Sequence, residues 1–150
     1  MKILFASAEA YPLAKVGGLG DVGGSLPKAL RALGHDVRII LPKYGMVRDV
    51  KEDLGPFDVT IGGGPQPAAL RTSSIDGVPV YLIEHEPSFG REQVYGYPDD
   101  TDRFLAFSDA LLAAAGWLHA EPAERVHGEP VEPWQPDAIH LHDWHTAFLA

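Results

Sequence analysis

The chain opens on an uninterrupted apolar run, Ile3-Leu4-Phe5-Ala6, which with Lys2 and Ser7 predicts a strand buried on both faces of a parallel sheet. A second run of the same kind, Asp36-Val37-Arg38-Ile39-Ile40-Leu41, is closed by Pro42. Between them Leu26, Ala29, Leu30 and Leu33 recur at helical spacing and predict a helix from Ser25 to Leu33. Gly34 ends that helix, and Pro27 kinks it or divides a loose first turn from a regular remainder. Strand, helix and strand in this order make a βαβ unit, so the sheet is parallel and a ligand belongs at its carboxyl edge.

The pattern then changes. Residues 43–56 are mixed and read as irregular, whereas Phe57–Ile61 alternates as a strand should, until Gly62-Gly63-Gly64-Pro65 breaks it. Ala68–Ile75 and Val78–Ile83 flank Asp76-Gly77, a hairpin signal, and Val80–Ile83 is apolar enough for a central strand. Residues 84–100, with Pro87, Gly90, Gly96 and Pro98, read as a loop. Asp102–His119 shows an apolar helical face through Phe104, Leu105, Phe107, Ser108, Leu111, Leu112 and Ala115. An acidic, proline-bearing connection over Glu121–Pro136 leads to a last buried strand, Asp137–Leu141, and Thr146–Ala150 reads as the first turn of a further helix. The expectation is an α/β, Rossmann-like, mostly parallel sheet with an antiparallel hairpin, in a chain truncated before its last helix is complete.

Composition narrows the function more than the fold. At 150 residues and 45% hydrophobic content the chain suits one globular domain. A net charge of -9 argues against sequence-independent nucleic-acid binding and against an anionic membrane surface. The first 83 residues hold nine of the 12 Lys and Arg, and the remainder holds 13 of the 21 Asp and Glu, so what basic character there is lies in the first half. There is no cysteine, which excludes disulfides and thiol chemistry. The apolar run behind Lys2 stops before Glu9, too short for a signal peptide, and no stretch approaches the roughly 20 apolar residues of a membrane span. A cytoplasmic protein is expected.

Lys15-Val16-Gly17-Gly18-Leu19-Gly20-Asp21-Val22-Gly23-Gly24 precedes the first helix and holds five glycines. Glycine lets backbone amides approach a ligand closely, and a helix N-terminus and Lys15 both favour an anion, so the loop reads as a phosphate receiver; tight helix packing is the alternative use of the same glycines. Gly18 to Gly23 formally matches the dinucleotide fingerprint GxGxxG, but the match is displaced from the strand end and the second strand begins, rather than ends, with its acid, Asp36. At the far end of the chain His140-Leu141-His142-Asp143-Trp144-His145 is dense in metal-ligand types, yet no second cluster completes a metal site, and none is expected. Asp143 beside Trp144 is the acid-plus-aromatic pair that grips sugars. Glu9 leaves the first strand on the same edge, and Tyr95, Tyr97, Asp99 and Asp100 are either solvated or a third wall of the cleft.

These blocks together resemble the N-terminal region of bacterial glycogen synthases and plant starch synthases. The likeness rests on Ser7-Ala8-Glu9 after the first strand, on Lys15 to Val22 (where the family reads Lys-Thr-Gly-Gly-Leu and this chain has Val16), on Ser25 to Pro42, and on His140 to His145. It implies the N-terminal, acceptor-side half of a GT-B enzyme, a retaining glucosyltransferase that extends α-1,4-glucan from ADP-glucose in preference to UDP-glucose, without a cofactor. A C-terminal nucleotide-sugar domain would lie beyond Ala150, so the fragment alone is expected to be inactive. The resemblance implies catalytic roles for Lys15 and Asp143, donor contacts from Lys15, Gly17 and Gly18, and acceptor or sugar contacts from Glu9, Tyr95 and Asp143, with Asp21 and His142 beside them. A carbohydrate-binding domain without catalysis and a dinucleotide-dependent oxidoreductase stand as alternatives.

Overall fold

The computed structural model describes residues 1–119 and 133–149. Six strands form one sheet in the order β3-β4-β5-β2-β1-β6. The strands are β1 Lys2–Ala6, β2 Asp36–Pro42, β3 Asp53–Ile61, β4 Gly64–Ile75, β5 Val78–Glu84 and β6 Ala138–Leu141. β1 runs parallel to β2 and β6, β2 runs parallel to β5, and β4 is antiparallel to both β3 and β5. The helices are α1 Gly18–Ala32, a single turn α2 Glu86–Phe89 and α3 Asp100–His119, with a 3-10 turn at Trp144–Leu149.

The period of two along each strand divides the core. Ile40, Tyr81 and Ile83 face one side, where Phe104, Phe107 and Leu111 of α3 cover them, while Ile39, Leu41, Val80 and Leu82 face the other, beneath residues 10–14 and 44–47. Each such side chain removed from water contributes about 1.5–3 kcal/mol. Continuous burial of β1, β2 and β5 follows from both faces being covered, as the apolar runs require. β6 departs from the expectation of a buried strand: it is the sheet's edge and only half-buried.

The structure differs from the expected elements at several further points. α1 begins at Gly18 instead of Ser25, so most of the glycine run is helix, and it continues through buried Pro27. β3 starts four residues early, at Asp53, across a bulge near Gly55 whose φ of 107° suits glycine. β4 starts at Gly64 and includes Pro65 and Pro67, because residues 64–68 pair with β3 alone and a missing N–H on their other side costs no ladder bond. Gly62 and Gly63, both at positive φ, then form the turn of a second hairpin. α2 interrupts the expected loop over residues 84–100, and α3 starts at Asp100 instead of Asp102. The anticipated turn signals at Gly34 (φ 90°) and at Asp76-Gly77 (φ 48° and 83°) are realised. Most of the acidic connection, and Ala150, lie outside the described residues.

Candidate active site at the carboxyl edge of the sheet

Four chain segments converge where β1, β5 and β6 end. The loop after β1 brings Glu9, the open start of α1 brings Gly17, Gly18 and Leu19, and Tyr95 arrives from the segment before α3. Past β6 the chain supplies Asp143, Trp144 and His145. With Asp100 these residues line a cavity of about 310 Å³. A wider depression of about 650 Å³ lies at the opposite edge, by Met1, Lys2, Asp36 and Asp137. Its acids are committed: Asp137 accepts the Lys2 N–H at 2.7 Å, and Asp36 accepts Trp134 Nε1–H at 2.8 Å. The acid heading β2 therefore closes a structural link far from the carboxyl edge and does not face a ribose.

Glu9, only 2% exposed, is the centre of the polar network. Its Oε2 accepts the backbone N–H of Val16 at 2.6 Å and of Gly17 at 3.1 Å, and its Oε1 accepts the Tyr95 hydroxyl at 2.7 Å. Burial pushes the Glu9 carboxyl up, but the bonds from Val16, Tyr95 and Gly17, with His145 nearby, outweigh it and hold the carboxyl below its ordinary range. Burial first, then Glu9, pushes the Tyr95 phenol well up, so it is a hydroxyl donor throughout. Gly18 and Leu19, in the first turn of α1, line the cavity, and the first amides of a helix have no partner within the helix itself.

The glycines divide by use. A Cβ at Gly23 would sit 2.2 Å from the Glu9 carbonyl oxygen, and one at Gly24 would sit 2.5 Å from that of Tyr11, so these two serve close packing of α1 on the loop after β1. Gly17 and Gly18 have open space where a Cβ would be. At Gly20 the space is filled by the Lys15 stem and the Glu9 carboxylate, 3.0 and 3.1 Å from the position of a Cβ. Lys15 Nζ is paired with Asp21 Oδ1 at 2.5 Å, with both side chains substantially exposed, and it also lies 5.5 Å from the Tyr11 ring centroid.

Beyond β6 the backbone turns sharply at Asp143, at φ 68°, a conformation that asparagine, aspartate and glycine tolerate best. The Asp143 carboxylate accepts the Trp144 N–H at 2.6 Å, and its carbonyl accepts the Thr146 N–H and hydroxyl at 3.2 and 3.0 Å. His145, 4% exposed, stacks on Tyr95 with ring centroids 5.0 Å apart. Burial pulls its pKa down, against the opposing pull of Asp143, Glu9 and Asp100. His140 and His142 share one face, as alternation predicts, and both pack on Phe5, at 4.6 and 5.2 Å. Among the described residues no group of three or more His, Asp and Glu is placed to hold a metal ion.

Of the sequence candidates, Glu9, Gly17, Gly18, Tyr95 and Asp143 line one cavity, Lys15 and Asp21 pair beside it, and His142 packs on Phe5 behind it. Trp144 and Asp100, named in sequence as possible walls, line it too. Leu19 and His145 are additional. His145 carried a signal only as part of the histidine cluster, since its distance past β6 disguised the 3-10 turn that brings it back.

A glycine-opened helix N-terminus facing an acid-and-aromatic wall across the carboxyl edge of the parallel strands defines a Rossmann-like ligand-binding domain. Residues 2–150 match the model of the starch synthase catalytic domain, and the chain belongs to that family. Glycogen synthase of Moorella thermoacetica is 42% identical over 149 residues, covering 97% of this chain and 28% of that protein. Glycogen synthase 1 of Synechocystis is 43% identical over 152 residues, covering 99% and 28%. The chain thus spans under a third of the curated relatives' length. The solved catalytic domain of starch synthase IV from Arabidopsis thaliana, bound to ADP and acarbose, superposes with a TM-score of 0.82 at 37% identity over 98% of this chain and 29% of that one. The fold is accordingly that of a GT-B glycosyltransferase.

Proposed function

We propose that residues 1–150 form the N-terminal, acceptor-side domain of a cytoplasmic glycogen or starch synthase. A further nucleotide-sugar domain of the same enzyme completes the cleft, and the pair transfers glucose from ADP-glucose to the end of an α-1,4-glucan with retention of configuration. The observation carrying this reading is the convergence of Glu9, Gly17, Gly18, Tyr95, Asp143 and Trp144 on one cavity at the sheet's carboxyl edge. The donor is a substrate, and no cofactor enters the scheme.

Departure of the nucleoside diphosphate leaves negative charge on its phosphates. The amides of Gly18 and Leu19 and the Lys15 ammonium suit that charge, and preorganised donors of this kind commonly supply the largest share of catalysis. Lys15 must first leave Asp21, and an exposed ion pair of this sort is worth only about 0–1 kcal/mol, so the diphosphate competes easily. On the acceptor side Asp143 would receive glucan hydroxyls while Trp144, 47% exposed, offers a ring to a sugar face.

The test is kinetic, in the enzyme carrying both domains. Lys15→Ala is expected to lower kcat by about 100-fold or more with little change in acceptor KM, in line with loss of one transition-state donor. Unchanged turnover would remove Lys15 from the mechanism. The purified 150-residue chain should show no transfer, and turnover by it would overturn the division of labour between domains.

A further inference from the structure

We infer that Glu9 is a positioning residue that couples the two halves of the cleft, tying Tyr95 on the acceptor wall to the amides of Val16 and Gly17 at the mouth of the donor loop. Occupancy of one half then alters affinity in the other. The inference rests on the functional reading above for the identity of its ligands, but its geometry stands apart from that reading.

A carboxylate offers about four lone-pair sites. Three are taken, by Val16, Gly17 and Tyr95 at 2.6, 3.1 and 2.7 Å, and the side chain is almost wholly withdrawn from solvent. Little of Glu9 is left to meet a sugar hydroxyl directly, so its influence passes through what it holds. What it holds is distant in sequence: the Tyr95 link spans 86 residues, while the amide links span seven and eight. Tyr95 is in turn stacked on His145 and tilted against Phe104, so the clamp reaches the post-β6 turn as well.

The clamp's inner side is fitted to Gly20, where a Cβ would meet Glu9 Oε2 at 3.1 Å and the Lys15 stem at 3.0 Å. A shift of the carboxylate therefore moves the two amides it holds. Glucan pressing on the Tyr95 ring pulls on Glu9 Oε1, and a diphosphate drawing on the neighbouring amides pulls on Oε2. Such a link is reciprocal by thermodynamic necessity.

The test uses amide-resolved NMR of the enzyme carrying both domains and of its Tyr95→Phe variant, which keeps the ring and removes one hydrogen bond. Without ligand, the Val16 and Gly17 amide signals should follow Glu9 ionisation, with a midpoint below the usual glutamate range that moves upward in Tyr95→Phe. With ligands, maltotriose should shift the Val16 and Gly17 amides, ADP should shift Tyr95, and each should change the other's affinity by about fivefold or more. In Tyr95→Phe these cross-responses should vanish even where shifts local to each ligand are saturated. Cross-responses that persist in Tyr95→Phe, or an acid midpoint indifferent to that substitution, would overturn the coupling. If neither ADP nor maltotriose binds the parent while its acid midpoint behaves as described, the functional reading fails and the clamp is reduced to a link within the fold.

Discussion

Asp143 shows how much a single residue in this site is asked to do. It holds a positive-φ backbone, caps the 3-10 turn through its carbonyl, and presents a carboxylate to the cavity. Substitution by alanine confounds these tasks, because a Cβ without a compensating side-chain bond at φ 68° costs about 1–2 kcal/mol on its own. Asp143→Asn separates them, since asparagine tolerates the left-handed region and its amide oxygen still accepts the Trp144 N–H. We expect Asp143→Asn to change the thermal midpoint by under about 2 °C while lowering glucan affinity or kcat at least tenfold, and Asp143→Ala to lose stability as well. Equal glucan binding and turnover in Asp143→Asn and the parent would confine the residue to its backbone role.

At the scale of the element, α1 decides how the site is built, and its glycines make opposite predictions. Gly23→Ala drives a methyl to 2.2 Å from the Glu9 carbonyl oxygen, which must separate α1 from the loop after β1, and an overpacking loss of about 1–3 kcal/mol or more is expected in urea unfolding. Gly18→Ala meets nothing within 4 Å and should be neutral or stabilising by up to about 1 kcal/mol, while its methyl narrows the approach to the helix amides and weakens ADP binding. Equal stability losses in both variants would refute this division. The same helix shows what could be read in the sequence. The βαβ order, the Gly34 stop and the place of the cleft were legible because hydrophobic period and glycine punctuation are local signals. The start of α1 was not, because a run of glycines normally argues against helix; here Gly23 and Gly24 are kept by contacts to Glu9 and Tyr11, which no local pattern displays. Likewise Gly62-Gly63-Gly64-Pro65 argued for a break, yet β4 starts at Gly64 because it is unpaired on one side there. The catalytic-edge candidates were legible as residue types, whereas the bond from Tyr95 to Glu9 joins segments 86 residues apart and exists only once the sheet has formed.

For the whole molecule, burial and ion pairing fix the response to acid. Burial depresses His85, His140 and His145, with His142 adding to the effect on His140. A histidine depressed in the folded state is neutral there while its unfolded counterpart protonates near 6.5, so its contribution is complete above that pH and is lost as pH falls toward the folded value. Each such group adds at most about 1.4 kcal/mol per pH unit across that window. Glu9, Asp36 and Glu84 come next: burial raises each, but the hydrogen bonds and charges around them prevail, so their stabilisation is present above the ordinary carboxylate range and lost as pH falls through their lowered folded values. Both sets push the same way. Relief of the -9 net charge on acidification pushes the other way, but at 0.15 M salt screening over about 8 Å leaves it the weaker effect. The urea midpoint should therefore fall from pH 7.5 to 5, and fall again from 5 to 3.5. His85, buried with Nδ1 2.9 Å from the Ser88 hydroxyl and away from the cavity lining, offers the discriminating variant. His85→Gln should flatten the first leg and leave the second unchanged. A midpoint constant between pH 7.5 and 5 in the parent would mean that the three imidazoles titrate alike in the folded and unfolded states, and their depression would then be refuted.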